Sequence, residues 1–109
     1  MIGILRRLFG RATHPQGWDL RIKRRGRGGP IVYAEGEFLI EFDFELGNAG
    51  IIYCPPKKTW DRDFPWAAGR RSEVIARVAD EFVRREFRGY RWSFAEGRDD
   101  TVLVTRPRS

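Results

Sequence analysis

Residues 18–23 alternate cleanly. Trp18, Leu20 and Ile22 fall on one side, and Asp19, Arg21 and Lys23 on the other. A period of two marks a half-buried strand. The run Arg24-Arg25-Gly26-Arg27-Gly28-Gly29-Pro30 reads as a flexible loop, and residues 31–35 as a second short strand. Residues 37–46 give the clearest strand of the chain. Phe38, Ile40, Phe42, Phe44 and Leu46 share one face; Glu37, Glu41, Asp43 and Glu45 share the other, interrupted by Leu39. Residues 47–50 make a turn and residues 51–54 a short apolar strand.

Residues 55–69, PPKKTWDRDFPWAAG, read as a long loop that holds three of the six Pro and two of the four Trp. Ser72 is placed to cap a helix over residues 73–88. Val74, Ile75, Val78, Ala79, Phe82, Val83 and Phe87 form its apolar stripe, and Gly89 suits its C-terminal end. Glu73–Arg77, Asp80–Arg84 and Glu81–Arg85 are acid-first pairs at i,i+4, which predicts a solvated, salt-laced helix surface. A hairpin then sets Tyr90, Trp92 and Phe94 against Val102 and Val104 across residues 96–100. The order β-β-β-β-α-β-β predicts an α+β domain, an antiparallel meander with one main helix packed on one face. Residues 1–17 precede it as a basic lead-in in which Ile2, Leu5, Leu8 and Phe9 share one helical face. Residues 18–109 form the single domain.

Composition narrows the function classes. The chain has 109 residues, 41% hydrophobic and 33% charged, an ordinary globular balance. No stretch approaches the roughly 20 apolar residues of a membrane span. The first eleven residues have too short an apolar run for a signal peptide, so the cytoplasm is the expected compartment. One cysteine, Cys54, fits a reducing environment. Net charge is +6 with a pI near 10.2, and 18 of the 21 basic residues are Arg. The charge is uneven. Residues 31–66 hold seven acidic and three basic side chains, an acidic block inside a basic protein.

The chemistry-bearing residues are sparse. His14 is the only His, so no soft-ligand metal set assembles, and Asp61 and Asp63 lack a calcium-loop context. No metal or other cofactor is expected. A reactive Cys54 would need His14 as its base; the simpler reading is a half-buried structural thiol. The acids on residues 37–45 read as a solvated face that Arg21 and Lys23 answer across strands. No glycine-rich phosphate loop of Walker or dinucleotide type is present. The expectation is a binding protein, not an enzyme.

Two binding constellations stand out. One is protein-binding: Glu37, Glu41, Asp43 and Glu45 on the strand, with Trp60, Asp61, Asp63 and Trp66 on the loop, Trp being a common interface anchor. The other is nucleic-acid-binding: Arg21, Lys23, Arg24, Arg25 and Arg27, with Tyr90 and Trp92 for stacking if they are exposed.

From Trp18 to Phe94 the chain resembles a family of small bacterial immunity proteins of polymorphic-toxin and contact-dependent inhibition systems. The shared pattern runs Leu20-Arg21-Ile22, Tyr33-Ala34-Glu35-Gly36-Glu37, the apolar strand to Phe44, then Ile51-Ile52-Tyr53. Trp60-Asp61, Pro65 and Phe82-Val83-Arg84-Arg85-Glu86-Phe87-Arg88-Gly89 follow. The resemblance implies a non-enzymatic role, binding a cognate toxin and blocking its active site or its access to substrate. Immunity proteins against nuclease toxins are often acidic, and this chain is basic. That leaves either a toxin of another kind or binding by the acidic strand face.

Overall fold

The computed structural model describes residues 17–47, 50–95 and 100–106. The expectations for the lead-in, His14 included, and for residues 48–49 and 96–99 lie outside the described residues. Six strands form one antiparallel sheet: β1 (Trp18–Ile22), β2 (Gly28–Glu35), β3 (Phe38–Leu46), β4 (Gly50–Tyr53), β5 (Arg91–Ala95) and β6 (Thr101–Thr105). The main helix, α2 (Arg71–Glu86), lies between β4 and β5 in sequence. The fold is α+β, as the pattern predicts.

The spatial order is β1-β2-β3-β4-β6-β5. The chain meanders as far as β4, crosses with α2, enters the opposite edge as β5, and returns as β6 beside β4. Laid flat, the two edges would stand about 24 Å apart, five spacings of roughly 4.8 Å. A helix about 10 Å across meets both only if the sheet curls around it. It does meet both. The Arg85 guanidinium donates to the Leu20 carbonyl on β1 at 2.8 Å, and the Trp92 indole on β5 donates to Asp80 at 2.7 Å.

The core lies between the concave side of the sheet and α2. Ile31, Tyr33, Ile40, Phe42, Phe44, Ile52, Val102 and Val104 point inward from the strands. Val74, Ile75, Val78, Ala79 and Phe82 answer from the helix, the stripe its periodicity predicts. Phe44 and Phe82 meet at a ring separation of 5.2 Å.

Several local expectations are corrected. Helix α2 begins one residue before Ser72, with Arg70 at its N-cap and no side-chain cap. Ion pairs hold this end instead. Arg70 reaches Glu35 with two hydrogen bonds of 2.9 Å and also pairs with Glu73. The helix ends at Glu86 with Phe87 as its C-cap, so Gly89 lies two residues further on. The helix surface is not uniformly solvated. Glu81 is buried and accepts from both Arg84 and Arg85, while Asp80 is taken by Trp92 and leaves Arg84 to Glu81. Residues 55–69 are not a plain loop. They hold 3-10 turns at Lys57–Thr59 and Pro65–Ala67 around a single helical turn, α1 (Trp60–Asp63).

The largest correction concerns the Arg/Gly run. Strand β2 starts at Gly28, not Ile31, so Gly28 and Gly29 pair with Glu45 and Phe44 of β3. Chain crossing explains the glycines. A Cβ on Gly28 would lie 2.5 Å from the Phe44 carbonyl oxygen. One on Gly29, whose φ is +147°, would lie 1.9 Å from that of Lys23. Close backbone approach, not flexibility, selects glycine here. Among the described residues no helix is long and apolar enough to cross a membrane.

A half-buried ion network ties β2 to α2. Tyr33 donates to Glu35 at 2.6 Å, and Arg77 donates to the Tyr33 oxygen at 2.8 Å. Burial raises the Glu35 carboxyl, but hydrogen bonds from Arg70 and Tyr33, with the charges of Arg70 and Arg77, outweigh it and leave Glu35 below its usual range. Burial, then the Glu35 contact, pushes the Tyr33 hydroxyl up to about 12.

Two outcomes are expected. Gly29→Ala destabilises by at least about 1–3 kcal/mol, the cost of strained backbone, before its clash is added; urea denaturation measures it, and a neutral result contradicts the packing. A depressed folded pKa gives Glu35 a stabilising effect present above its unfolded pKa, about 4.3, and lost as pH falls through the folded value. Glu35→Gln therefore melts lower than wild type at pH 7, and the gap narrows below pH about 4. A gap independent of pH would contradict the role assigned to this carboxylate.

Candidate functional site

With α2 on the concave side, the convex side of the sheet carries the residues of opposite parity. Along β3 these are Leu39, Glu41, Asp43 and Glu45. By register Leu39 lies beside Ala34, Glu41 beside Val32, Asp43 beside Tyr53 and Glu45 beside Ile51. Ile51 is in turn beside Leu103 of β6. The acids are exposed, and so are Leu39, Tyr53 and Leu103, at 39%, 42% and 38%. Val32 and Ile51 are half-buried between them. The face is a row of carboxylates bordered by apolar side chains.

The charges on this face differ from the sequence expectation. Among the described residues, neither Glu41 nor Asp43 has an ion-pair or hydrogen-bond partner, although the register sets Arg21 on the same face, across Val32 from Glu41. Glu45 accepts from the Tyr53 hydroxyl at 2.8 Å, and that contact raises the tyrosine's pKa. Other acids of the domain are engaged: Glu35, Glu73 and Glu81 with arginines, Asp80 with Trp92, and Asp100 with Arg71. Unpaired carboxylates on an open face can be desolvated against a basic partner without first breaking an internal pair. Glu37 is also exposed and unpaired among the described residues, but it stands in the β2–β3 turn rather than on the strand face.

The Trp loop divides in two. Trp60 is 1% exposed; its indole donates to the Ala67 carbonyl at 2.9 Å and its ring packs on Phe64. It builds the loop from inside and offers a partner no surface. Trp66 is half-buried and stacks on Phe38. Asp61 is exposed and accepts from the Gly69 amide at 3.0 Å, while Asp63 pairs with the exposed Arg62.

The basic constellation clusters at the β1–β2 hairpin. Lys23, Arg24, Arg25 and Arg27 are exposed there, and Arg21 is exposed on β1. The turn is tight: the Arg25 amide donates to the Gly28 carbonyl at 2.6 Å, and the Leu46 amide donates to the Arg27 carbonyl at 2.6 Å. The aromatic residues that would stack bases are elsewhere and occupied. Trp92 packs on the core and binds Asp80, and Tyr90 packs on Phe87.

Sequence reasoning missed the apolar members of the convex face. Ile51, Tyr53 and Leu103 sit in strands that are apolar at both parities, and alternation cannot separate their two faces. The pairing of β4 with β6 brings them together.

Among the described residues no group of three or more His, Cys, Asp or Glu side chains is placed to hold a metal ion. A shallow cleft of about 260 Å³ lies at the start of α2, lined by Lys57, Trp60, Asp61, Gly69, Arg71 and Ser72. Its Arg71 is already committed to the Pro55 carbonyl and Asp100. Comparison of the chain with protein-family models, curated proteins and solved structures finds no match.

Cys54 is half-buried beyond β4, and burial pushes its thiol up to about 12, with the Arg71 charge opposing. A thiol held so far above neutrality supplies almost no thiolate at pH 7. In native protein at pH 8, Cys54 is therefore expected to react with a disulfide reagent many times more slowly than in the urea-unfolded chain. Equal rates would contradict the burial.

Proposed function

We propose that this chain is a non-enzymatic protein-binding module, an immunity protein of the polymorphic-toxin kind that neutralises a cognate toxin by binding it. The observation that carries the reading is the convex face of the sheet. Glu41 and Asp43 stand unpaired there beside exposed Leu39, Tyr53 and Leu103, in a protein whose other acids are largely engaged. Apolar contact supplies affinity in such an interface, while the carboxylates set orientation and speed association. The order of motifs from Trp18 to Phe94, which resembles small immunity proteins, supports the toxin as the partner class.

A nucleic-acid-binding reading rests on one observation, the cluster of Lys23, Arg24, Arg25 and Arg27 at one hairpin. The engaged positions of Tyr90 and Trp92 argue against base stacking, so this remains the second reading.

Capture of the tagged chain from its native lysate, after nuclease treatment, separates the two. Wild type is expected to retain one protein in simple proportion, and that protein arrests growth when expressed alone but not with this chain. The double substitution Glu41→Lys, Asp43→Lys is expected to lose it, while neutralising Lys23, Arg24, Arg25 and Arg27 leaves it bound. Recovery of nucleic acid alone, with nothing retained after nuclease, would sink the protein-binding reading.

A further inference from the structure

The β1–β2 ladder continues past Ile22. The Lys23 amide donates to the Pro30 carbonyl at 2.9 Å, and Arg25 bridges Gly28. Register then carries three rows across the convex side. Arg21, Val32 and Glu41 form one, Lys23, Pro30 and Asp43 the next, and Arg25, Gly28 and Glu45 the third. Cross-strand neighbours share a face. Each row therefore sets a cation on the β1 side, an uncharged residue on β2 and a carboxylate on β3. The cations make one column and the acids another, about 9.6 Å apart, two strand spacings. The floor between them is low. Val32, Pro30 and Gly28 are half-buried, and no side chain fits at Gly28, where a Cβ would lie 2.5 Å from the Phe44 carbonyl oxygen. Lys23, Arg25, Asp43 and Glu45 are exposed, and among the described residues no ion pair closes the Lys23 or the Arg25 row.

This pattern is its own complement. Two copies stacked face to face are related by a two-fold axis lying between their sheets. If that axis runs across the strands, acids meet acids. If it runs along β2, the two sides exchange while each row keeps its height. Asp43 of one copy then faces Lys23 of the other, Glu45 faces Arg25, and each pair occurs twice. Glu41 falls opposite Arg21 in the same way. Stacked sheets sit about 10 Å apart, a gap that an extended lysine or arginine and a carboxylate span together. A uniformly basic surface laid over all three strands would meet repulsion at the β1 column. The net charge of +6 opposes any dimer, but this strip is balanced, three cations against three acids.

We propose that the chain self-associates through this striped face, β2 over β2, as a weak symmetric dimer. The inference does not depend on the toxin-binding reading; a partner docked on Glu41 and Asp43 would displace the second copy. A strip three strands wide and as long as the nine residues of β3 covers roughly 400 Å² per copy. A stable complex takes about 800 Å² per partner. The dimer is therefore concentration-dependent, and salt weakens its solvent-exposed pairs.

The test is sedimentation velocity of the full chain over a concentration series at low salt, for wild type, Asp43→Lys and Lys23→Glu. Wild type is expected to move from monomer towards dimer as concentration rises, and back to monomer at high salt. Each variant alone sets like charges face to face twice, and is expected to dimerise at least about ten-fold more weakly. Mixed in equal amounts, the two variants restore both pairs of the row, and dimer returns. Recovery in the mixture also shows that both variants fold. A wild type that stays monomeric throughout, variants that dimerise as wild type does, or a mixture that stays monomeric overturns the striped dimer. Capture of a partner from the native lysate is a separate readout, so the dimer and the toxin-binding reading fail independently.

Discussion

Helix α2 touches β1 and β5, the two edges of one sheet, through Arg85 on the Leu20 carbonyl and Asp80 on the Trp92 indole. That double contact sets the curvature. A sheet curled around a helix turns one face of its strands toward the core, and Phe82, Val78 and Ile75 fill the space between. It also protects an edge. Among the described residues the Leu20 amide donates to no neighbouring strand on its open side; it donates to Asp19 at 2.8 Å, and its carbonyl accepts from Arg85. Satisfying edge groups internally is one way a protein avoids unwanted strand pairing.

The same arrangement sorts the charges. Two acids packed at the helix are engaged: Glu35 by Arg70, Arg77 and Tyr33, and Glu81 by Arg84 and Arg85. These pairs are partly withdrawn from water, where a lone charge would be costly. Acids on the convex side have no helix above them, and among the described residues Glu41 and Asp43 have no ion-pair or hydrogen-bond partner. Solvent meets that cost as long as the face stays open. A basic partner would replace that solvent, and this is the physical ground on which the open face, rather than the engaged one, is proposed as an interface.

Part of the candidate site was legible in the sequence. The alternation from Phe38 to Leu46 places Glu41, Asp43 and Glu45 together on one side, because strand geometry has a strict period of two. Trp66 was legible as a member of an unusual aromatic loop. Its division of labour with Trp60 was not, since both sit among the same Pro, Asp and Phe neighbours. Only the hydrogen bond from Trp60 to Ala67 and the stack of Trp66 on Phe38 distinguish them. Phe38 read as core by parity and proved half-exposed, stacked on Trp66 of the loop instead of joining the buried cluster.

The sequence by itself determined the element order, the inward face of β3, the buried stripe of α2 and the acidic character of the chain's middle. Each follows from local periodicity or composition, which neighbouring residues impose without reference to the rest of the fold. Tertiary structure alone decided that β4 pairs with β6, that Gly28 and Gly29 mark a close backbone crossing, and that Ile51, Tyr53 and Leu103 join the acids on one face. Those facts depend on contacts between segments far apart in the chain, and no local pattern encodes which distant strand will lie alongside.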